Sequence, residues 1–258
     1  MGILMVQDMF TIIKTDTRIQ RCVVSDPFSH YKPEDEKHIK KFKVEEDETL
    51  QQLKDTFKRV RYGSVDTSSY KEEYDRALSL VYKLKYNSSD ITKVLFALPE
   101  VRGRKYFNFN AGLFLSALIN NCKDEKFVLI TEHLSMAIDC IGYMNTKQIT
   151  IQGNVGNYLG RSMENGLITT YGNAGDSIGF EMNGGSIIIH GNAEDEAGSC
   201  MKEGTITIKG NAGRSVGHYL HSGTIFLEGD HTSLSNNIGF GNIFHNGKQI
   251  VKDGKRLI

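Results

Sequence analysis

The sequence has no uninterrupted apolar run of membrane-spanning length, and its few cysteines form no CxxC pair. The four cysteines are scattered along the chain (Cys22, Cys122, Cys140 and Cys200). Their number and spacing favour a reducing compartment over a disulfide framework. The apolar segment Met1–Ile13 lacks a basic start and a small-residue cleavage site, so we expect no signal peptide. These absences together predict a cytoplasmic protein with no membrane segment.

An excess of charge of either sign is also missing, since 31 Lys and Arg residues are balanced by 31 Asp and Glu residues. Charge therefore gives no reason to expect a nucleic acid or an anionic membrane as partner. Glycine and proline are unevenly distributed. Only four of the 26 glycines precede Gly142, whereas all three prolines precede residue 100. This shift in composition divides the chain into an N-terminal part and a glycine-rich C-terminal part.

A 19-residue repeat fills the glycine-rich part. Its main glycines are evenly spaced: Gly153, Gly172, Gly191, Gly210 and Gly229. Pairs of apolar residues precede most of them at −4 and −2, which is typical of a solenoid with one short strand per unit. Further glycines at +3, +7 and +13 predict corners, and we expect the corner glycines to supply positive φ. The repeat predicts a mostly β fold, a parallel β-helix with 19-residue coils.

Asparagine follows the main glycine in four successive repeats: Asn154, Asn173, Asn192 and Asn211. Asn tolerates the left-handed conformation, and stacked Asn side chains can form a hydrogen-bonded ladder from coil to coil. We interpret these residues, with the glycines, as structural corner residues. A left-handed hexapeptide helix is the competing fold, but it needs an 18-residue period with an apolar residue at every sixth position. The spacing here disfavours it.

Residues 1–105 have the composition of a helical region. Apolar residues at helical spacing predict a first helix that Gly63 ends. A capping box beginning at Ser69 predicts a second helix that continues to about Tyr86. A third helix is expected from about Ser89 to the residue before Pro99. We assign residues 106–126 to a capping helix over 111–121 and the entry to the solenoid.

The β-helix is assigned to residues 127–235, with a degenerate first coil around 127–144. Residues 236–258 are assigned to a hairpin cap. Asn246-Gly247 and Asp253-Gly254 are strong two-residue hairpin turns, and the basic residues of this tail discourage end-to-end pairing.

Three repeat units, 153–166, 172–185 and 210–223, carry the pattern Gly-Asn-x-Gly-x-x-x-Gly. They resemble the GXGXG repeat of the C-terminal domain of the glutamate synthase large subunit, which also makes up much of one formylmethanofuran dehydrogenase subunit. The resemblance covers roughly residues 127–235. It implies a right-handed β-helix that holds no catalytic residues and braces neighbouring domains or subunits. No segment typical of an amidotransferase or flavin domain is found in the sequence.

Candidate sites for chemistry are few. Glu194, Asp195 and Glu196 place three acids on one corner, and paired carboxylates are what glycoside hydrolysis needs. A solvated acidic corner is the simpler interpretation. His218 and His221 are near His190 and His231 in the repeat, but a metal site needs three or four converging ligands. We expect surface histidines, and no catalytic, cofactor-binding or metal-binding residue is assigned.

The sequence favours a non-catalytic scaffold or assembly module without a cofactor. Its expected partner is a protein, or another copy of the chain, bound through the solenoid wall or the helical region. The wall becomes more apolar toward its C-terminal coils, from Thr150 to Phe226. Two alternatives remain: an accessory subunit of an oxidoreductase complex of the kinds named above, and a carbohydrate-active β-helix that uses the acidic corner.

Overall fold

A computed structural model describes residues 46–60, 70–101 and 106–257. Residues Glu48–Ile258 belong to one compact unit. In chain order its helices are α1 (Glu48–Arg59), α2 (Tyr70–Val81), α3 (Ser88–Ala97), a short 3-10 helix (Leu98–Val101) and α4 (Phe107–Asn121). The expected helix end at Gly63, the capping residue Ser69 and the segment Met1–Ile13 lie outside the described residues.

Nine strands follow the helices and form one sheet in sequence order. The strands are β1 (Lys126–Ile130), β2 (Gln148–Gln152), β3 (Leu167–Thr170), β4 (Ser186–Ile189), β5 (Thr205–Ile208), β6 (Thr224–Leu227), β7 (Asn242–His245), β8 (Lys248–Lys252) and β9 (Lys255–Arg256). Each of β1 to β6 pairs in parallel with the next strand. One strand per coil, stacked in parallel, makes this part of the chain a β-solenoid, as the repeat predicted.

The register of the strands reproduces the 19-residue period. Ile168, Ile187, Ile206 and Ile225 are direct partners, and each is fully buried. The first coil is longer, since Phe127 pairs with Ile149, and the last is shorter, since Ile225 pairs with Ile243. Inward and outward side chains alternate along each strand because strand side chains point to opposite faces. The expected degenerate first coil is confirmed.

The corner glycines are required for two different reasons. At +7 and +13 the glycines do have positive φ, as at Gly179 and Gly185. The expectation of positive φ is wrong at +3 and, at the main position, for every glycine after Gly153. A Cβ on Gly191 would lie 2.6 Å from the carbonyl oxygen of Gly172 in the preceding coil. Glycine stands there because the coils stack too closely for a side chain.

Left-handed residues other than glycine recur at two more corner positions that the sequence did not indicate. One is +5, where Ser177 has φ 57° and Glu196 has φ 63°, and the other is +9, where Cys200 has φ 55°. The backbone N–H of each donates to a carbonyl of the following coil: Ser177 to Asp195, Glu196 to Arg214 and Cys200 to His218. The conformation therefore aims these N–H groups along the solenoid.

Helix α4 lies against the first coil. A Cβ on Gly112 would fall 1.6 Å from the carbonyl oxygen of Asp139, so the two backbones are in close contact. The hydroxyl of Ser116 lies 3.0 Å from the carbonyl oxygen of Cys140 and also accepts a hydrogen bond from the N–H of Tyr143. Helix α4 is predominantly buried, which explains its dense apolar sequence.

Helix boundaries differ from the predicted ones where side chains hold the helix ends. Helix α2 ends at Val81 rather than near Tyr86, and the side-chain amide of Asn121 donates to the carbonyl of Val81. Helix α3 begins at Ser88 because Asn87 caps it and forms a capping box with Asp90. At the other end of the chain, β7, β8 and β9 form two antiparallel hairpins, which confirms the predicted turns.

Candidate functional site

The acidic corner (Glu194, Asp195 and Glu196) is built into the stacking of the coils. The N–H of Asp195 donates to Asp176 Oδ1 at 2.9 Å, and Asp195 Oδ1 accepts from the N–H of Arg214 at 2.7 Å. Its other oxygen, Oδ2, accepts from both Nε and Nη2 of the Arg214 guanidinium, at 3.0 and 2.9 Å. These bonds from Arg214 hold the pKa of Asp195 below its ordinary value.

The remaining acids of this corner have different surroundings. Glu194 is exposed, and Glu196 occupies one of the left-handed corner positions. A shallow, open depression lies beside them, lined in part by Asp176 and Asp195. Since Asp195 is engaged by Arg214 on both oxygens, the corner offers one fewer available carboxylate than the sequence suggested.

The asparagine ladder exists, but its bonds differ from the expected side-chain pairing. Each Asn side-chain oxygen accepts the backbone N–H of the residue one coil later: Asn154 from Asn173, Asn173 from Asn192, Asn192 from Asn211, and Asn211 from Asp230, at 2.8–2.9 Å. None of these asparagines is left-handed. A parallel ladder three positions further on joins Asp139, Asn157, Asp176, Asp195 and Arg214 in the same way.

The histidines named in the sequence separate into three places. His190 stacks on Tyr171 of the preceding coil, with ring centroids 4.4 Å apart. His221 is exposed. His218 and His231 instead share a groove with His245, which the sequence had not connected to them. Within the described ranges, no three His, Cys, Asp or Glu side chains are placed to hold a metal ion.

That groove lies between the last coils and the C-terminal hairpins and has a volume of about 700 Å³. We call it the cap groove; its polar lining includes His218, His231, Ser233, Ser235, His245 and Arg256. Desolvation, His245 and Arg256 lower the pKa of His231, and the neighbouring Asp230 opposes them. No pattern in the sequence indicated this groove, because most of its residues come from a decayed coil and from the hairpins, and only Ser215 and His218 belong to a regular repeat unit.

A second polar cluster lies where α2 meets the solenoid. Arg161 is buried, and its guanidinium lies over the rings of Tyr70 and Phe180 at 3.8 and 4.6 Å from their centroids. Its Nη2 is 3.3 Å from Glu181. Nearby Cys140 is fully buried, which raises the pKa of its thiol. Arg161 and Tyr70 are closed to solvent, whereas Glu181 is partly exposed, and the cluster serves packing between α2 and two coils.

No family model, curated protein or solved structure matches the chain. None of the described helices is long and apolar enough to cross a membrane.

Proposed function

We propose that the chain is a non-catalytic scaffold that binds a protein partner through the outer wall of its solenoid. The observation that carries this proposal is that polar side chains at the corners bind the neighbouring coil. In the two ladders, Asn and Asp side chains hydrogen-bond from one coil to the next. Asp195, one of the three acids of the candidate catalytic corner, belongs to one of these ladders. The Asn and Asp residues that distinguish the repeat therefore hold neighbouring coils together.

The outer wall supports a protein partner. Its central outward position is Thr in several coils but becomes Ile188, Phe226 and Phe244 further along. Phe226 and Phe244 stack with centroids 5.1 Å apart and remain half-buried. Aromatic side chains on a rigid surface are typical anchors of protein interfaces. The resemblance of the repeat to the glutamate synthase and formylmethanofuran dehydrogenase β-helices leads to the same proposal.

Affinity purification of the tagged chain from its host, followed by mass spectrometry, tests the proposal. The Phe226→Thr variant restores the residue that other coils carry, so the fold should tolerate it. We expect this variant to recover less partner, whereas Thr150→Ser at the other end of the wall should recover as much as the wild type. A homogeneous monomer that repeatedly recovers no partner would overturn the proposal.

A metal and flavin assay on the same eluate distinguishes a simple scaffold from the accessory subunit of an oxidoreductase complex. A stoichiometric partner that carries either cofactor would favour such a complex. The carbohydrate-active alternative has its own test, since alanine at Glu194, Asp195 and Glu196 should then abolish turnover of a glycan.

A further inference from the structure

The cap groove combines basic side chains at a point where the repeat has apolar ones. His231 pairs with Ala212 in the position that Val155, Ala174 and Ala193 occupy in earlier coils. Those earlier residues are buried and small. In the last coil an imidazole takes their place, and its Nδ1 atom is buried without a hydrogen-bond partner among the described residues. A buried polar atom of this kind calls for an explanation, such as a bound water or a ligand.

Arg256 brings a permanent charge to the same groove. Its Nη2 donates to the carbonyl oxygens of Leu234 and Ser235, each at 3.2 Å. Asn236 Oδ1 is a third acceptor for Nη2, at 3.3 Å, and these bonds orient the guanidinium of this exposed side chain. No bond within the described part of the chain uses its Nε or Nη1. His245 is a further basic side chain of the groove, and its ring lies edge-on to that of His231 with the centroids 4.9 Å apart. Asp230 precedes His231 in the chain but does not line the groove.

The hydroxyl groups of the groove are arranged to donate. Ser233 Oγ accepts the N–H of Ser215 at 3.1 Å, which leaves its O–H available. Ser235 Oγ accepts the N–H of Asn237 and is 3.1 Å from His218 Nδ1. In one histidine tautomer, the Ser235 hydroxyl donates to His218 Nδ1, and the N–H at His218 Nε2 is the free donor. In the other tautomer, His218 Nδ1 donates to Ser235 Oγ, and the Ser235 O–H is the free donor. One donor remains in either case.

We propose that the cap groove binds a small oxyanion, with a phosphate group as the ligand. Phosphate oxygens only accept hydrogen bonds from such donors, and a fixed guanidinium suits their geometry. No Asp or Glu is among the described residues that line the groove, and the acidic group that acts on His231 is Asp230, which lies outside the lining. The groove is larger than one phosphate ion, which leaves room for the organic part of a phosphomonoester.

The charge balance of the groove predicts a pH dependence. Desolvation, His245 and Arg256 lower the pKa of His231, and Asp230 opposes them in part. A bound anion raises the pKa of the histidines that face it, so binding takes up protons. Proton uptake by His231 on binding should therefore favour affinity at lower pH, against the loss of charge from phosphate itself over the same range.

Calorimetric titration of the full chain with inorganic phosphate at about pH 6 and low salt is the test. His231→Ala installs the residue that three earlier coils carry, so this variant should fold. Arg256→Gln removes the fixed charge. We expect one saturable site in the wild type, and affinity about tenfold weaker or more in either variant, the range for a lost charged hydrogen bond. Lys252→Gln, which removes a charge from β8 outside the groove, should stay within about twofold of the wild type.

Absence of saturable binding at millimolar phosphate, or equal affinity in wild type and both variants, would overturn the proposal. An equal loss in Lys252→Gln would do so too, because it would indicate general charge attraction. A parallel titration with glycerol 2-phosphate distinguishes the two ligand sources. Tighter binding than inorganic phosphate identifies a phosphomonoester site, and weaker binding identifies a site for the free ion.

Discussion

The guanidinium carbon of Arg161 lies over the ring of Tyr70 in helix α2, 3.8 Å from its centroid. Arg161 belongs to a corner of the solenoid, and Tyr70 is the first residue of the helix. The pair therefore joins the two parts of the chain through a desolvated cation–π contact, in which Phe180 takes part from the next coil.

Arg161→Lys should destabilise the protein by roughly 1–3 kcal/mol, because an ammonium group cannot stack on aromatic faces as a planar guanidinium does. Urea unfolding measures the difference. Arg214→Lys is the matched control, since its ion pair with Asp195 is exposed and should contribute less than about 1 kcal/mol. Equal effects of the two substitutions would contradict the assigned role of Arg161.

Gly191→Ala should destabilise the protein by about 2–3 kcal/mol through overpacking, because the new Cβ meets Asn173 Oδ1 at 2.5 Å. Gly247→Ala is the control, which measures the effect of a left-handed backbone conformation without overpacking. Gly247 has φ 75° and open space around its Cβ position, so only the left-handed conformation, about 1 kcal/mol, opposes the change. Chemical denaturation of both variants makes the comparison. A loss for Gly191→Ala no larger than that for Gly247→Ala would contradict close stacking as the reason for the main glycines.

Asn192→Ala removes the acceptor for the N–H of Asn211. We expect a loss of about 0.5–1.5 kcal/mol, because the bond is exposed and water can replace the lost acceptor. Hydrogen exchange at the Asn211 amide should accelerate more than exchange at the strand amides of β4. Asn183→Ala removes an exposed side-chain bond to Glu164 and is the control, with little expected change in stability. Unchanged exchange at Asn211 would contradict the ladder.

Asp195 should contribute stability that depends on pH. Its folded pKa lies below the ordinary value of 3.8, so the contribution is present above that pH and is lost as the pH falls through the folded pKa. The urea midpoints of the wild type and Asp195→Asn should therefore converge as the pH decreases below about 4. The convergence should be smaller in an Arg214→Gln background, where only the backbone bond remains. Parallel curves in both backgrounds would refute the role of Arg214.

The solenoid was predictable from the sequence because its strands, inward columns and corners repeat with the chain. Ile187 and Ile206 have the same neighbours one coil apart, so the pattern indicates the register directly. The reason for Gly191 was not predictable, since spacing does not distinguish a left-handed corner from a close backbone contact. The left-handed positions of Ser177 and Cys200 were missed for a related reason, because the residue types there vary from coil to coil.

The cap groove was beyond the reach of sequence periodicity. His231 occupies an inward column of the solenoid, whereas His245 and Arg256 belong to strands of the hairpins that follow the last coil. Three-dimensional proximity between a decayed repeat and two hairpins leaves no regular spacing in the chain. The acidic corner shows the opposite case, since its three acids are adjacent in sequence, yet the structure uses Asp195 for stacking.

The antiparallel pairing of β7 with β8 limits where a further coil could be added to the solenoid. A further coil added after β7 would have to displace the hairpins, since they already pair with the edge that the coil needs. At the other end, α4 and the coil it covers are in backbone contact at Gly112. Lengthening is therefore open only in the interior, by duplication of a whole 19-residue unit between Gly153 and Gly229. Such a duplication would move the two ends apart by one strand spacing, about 4.8 Å, and leave both unaltered.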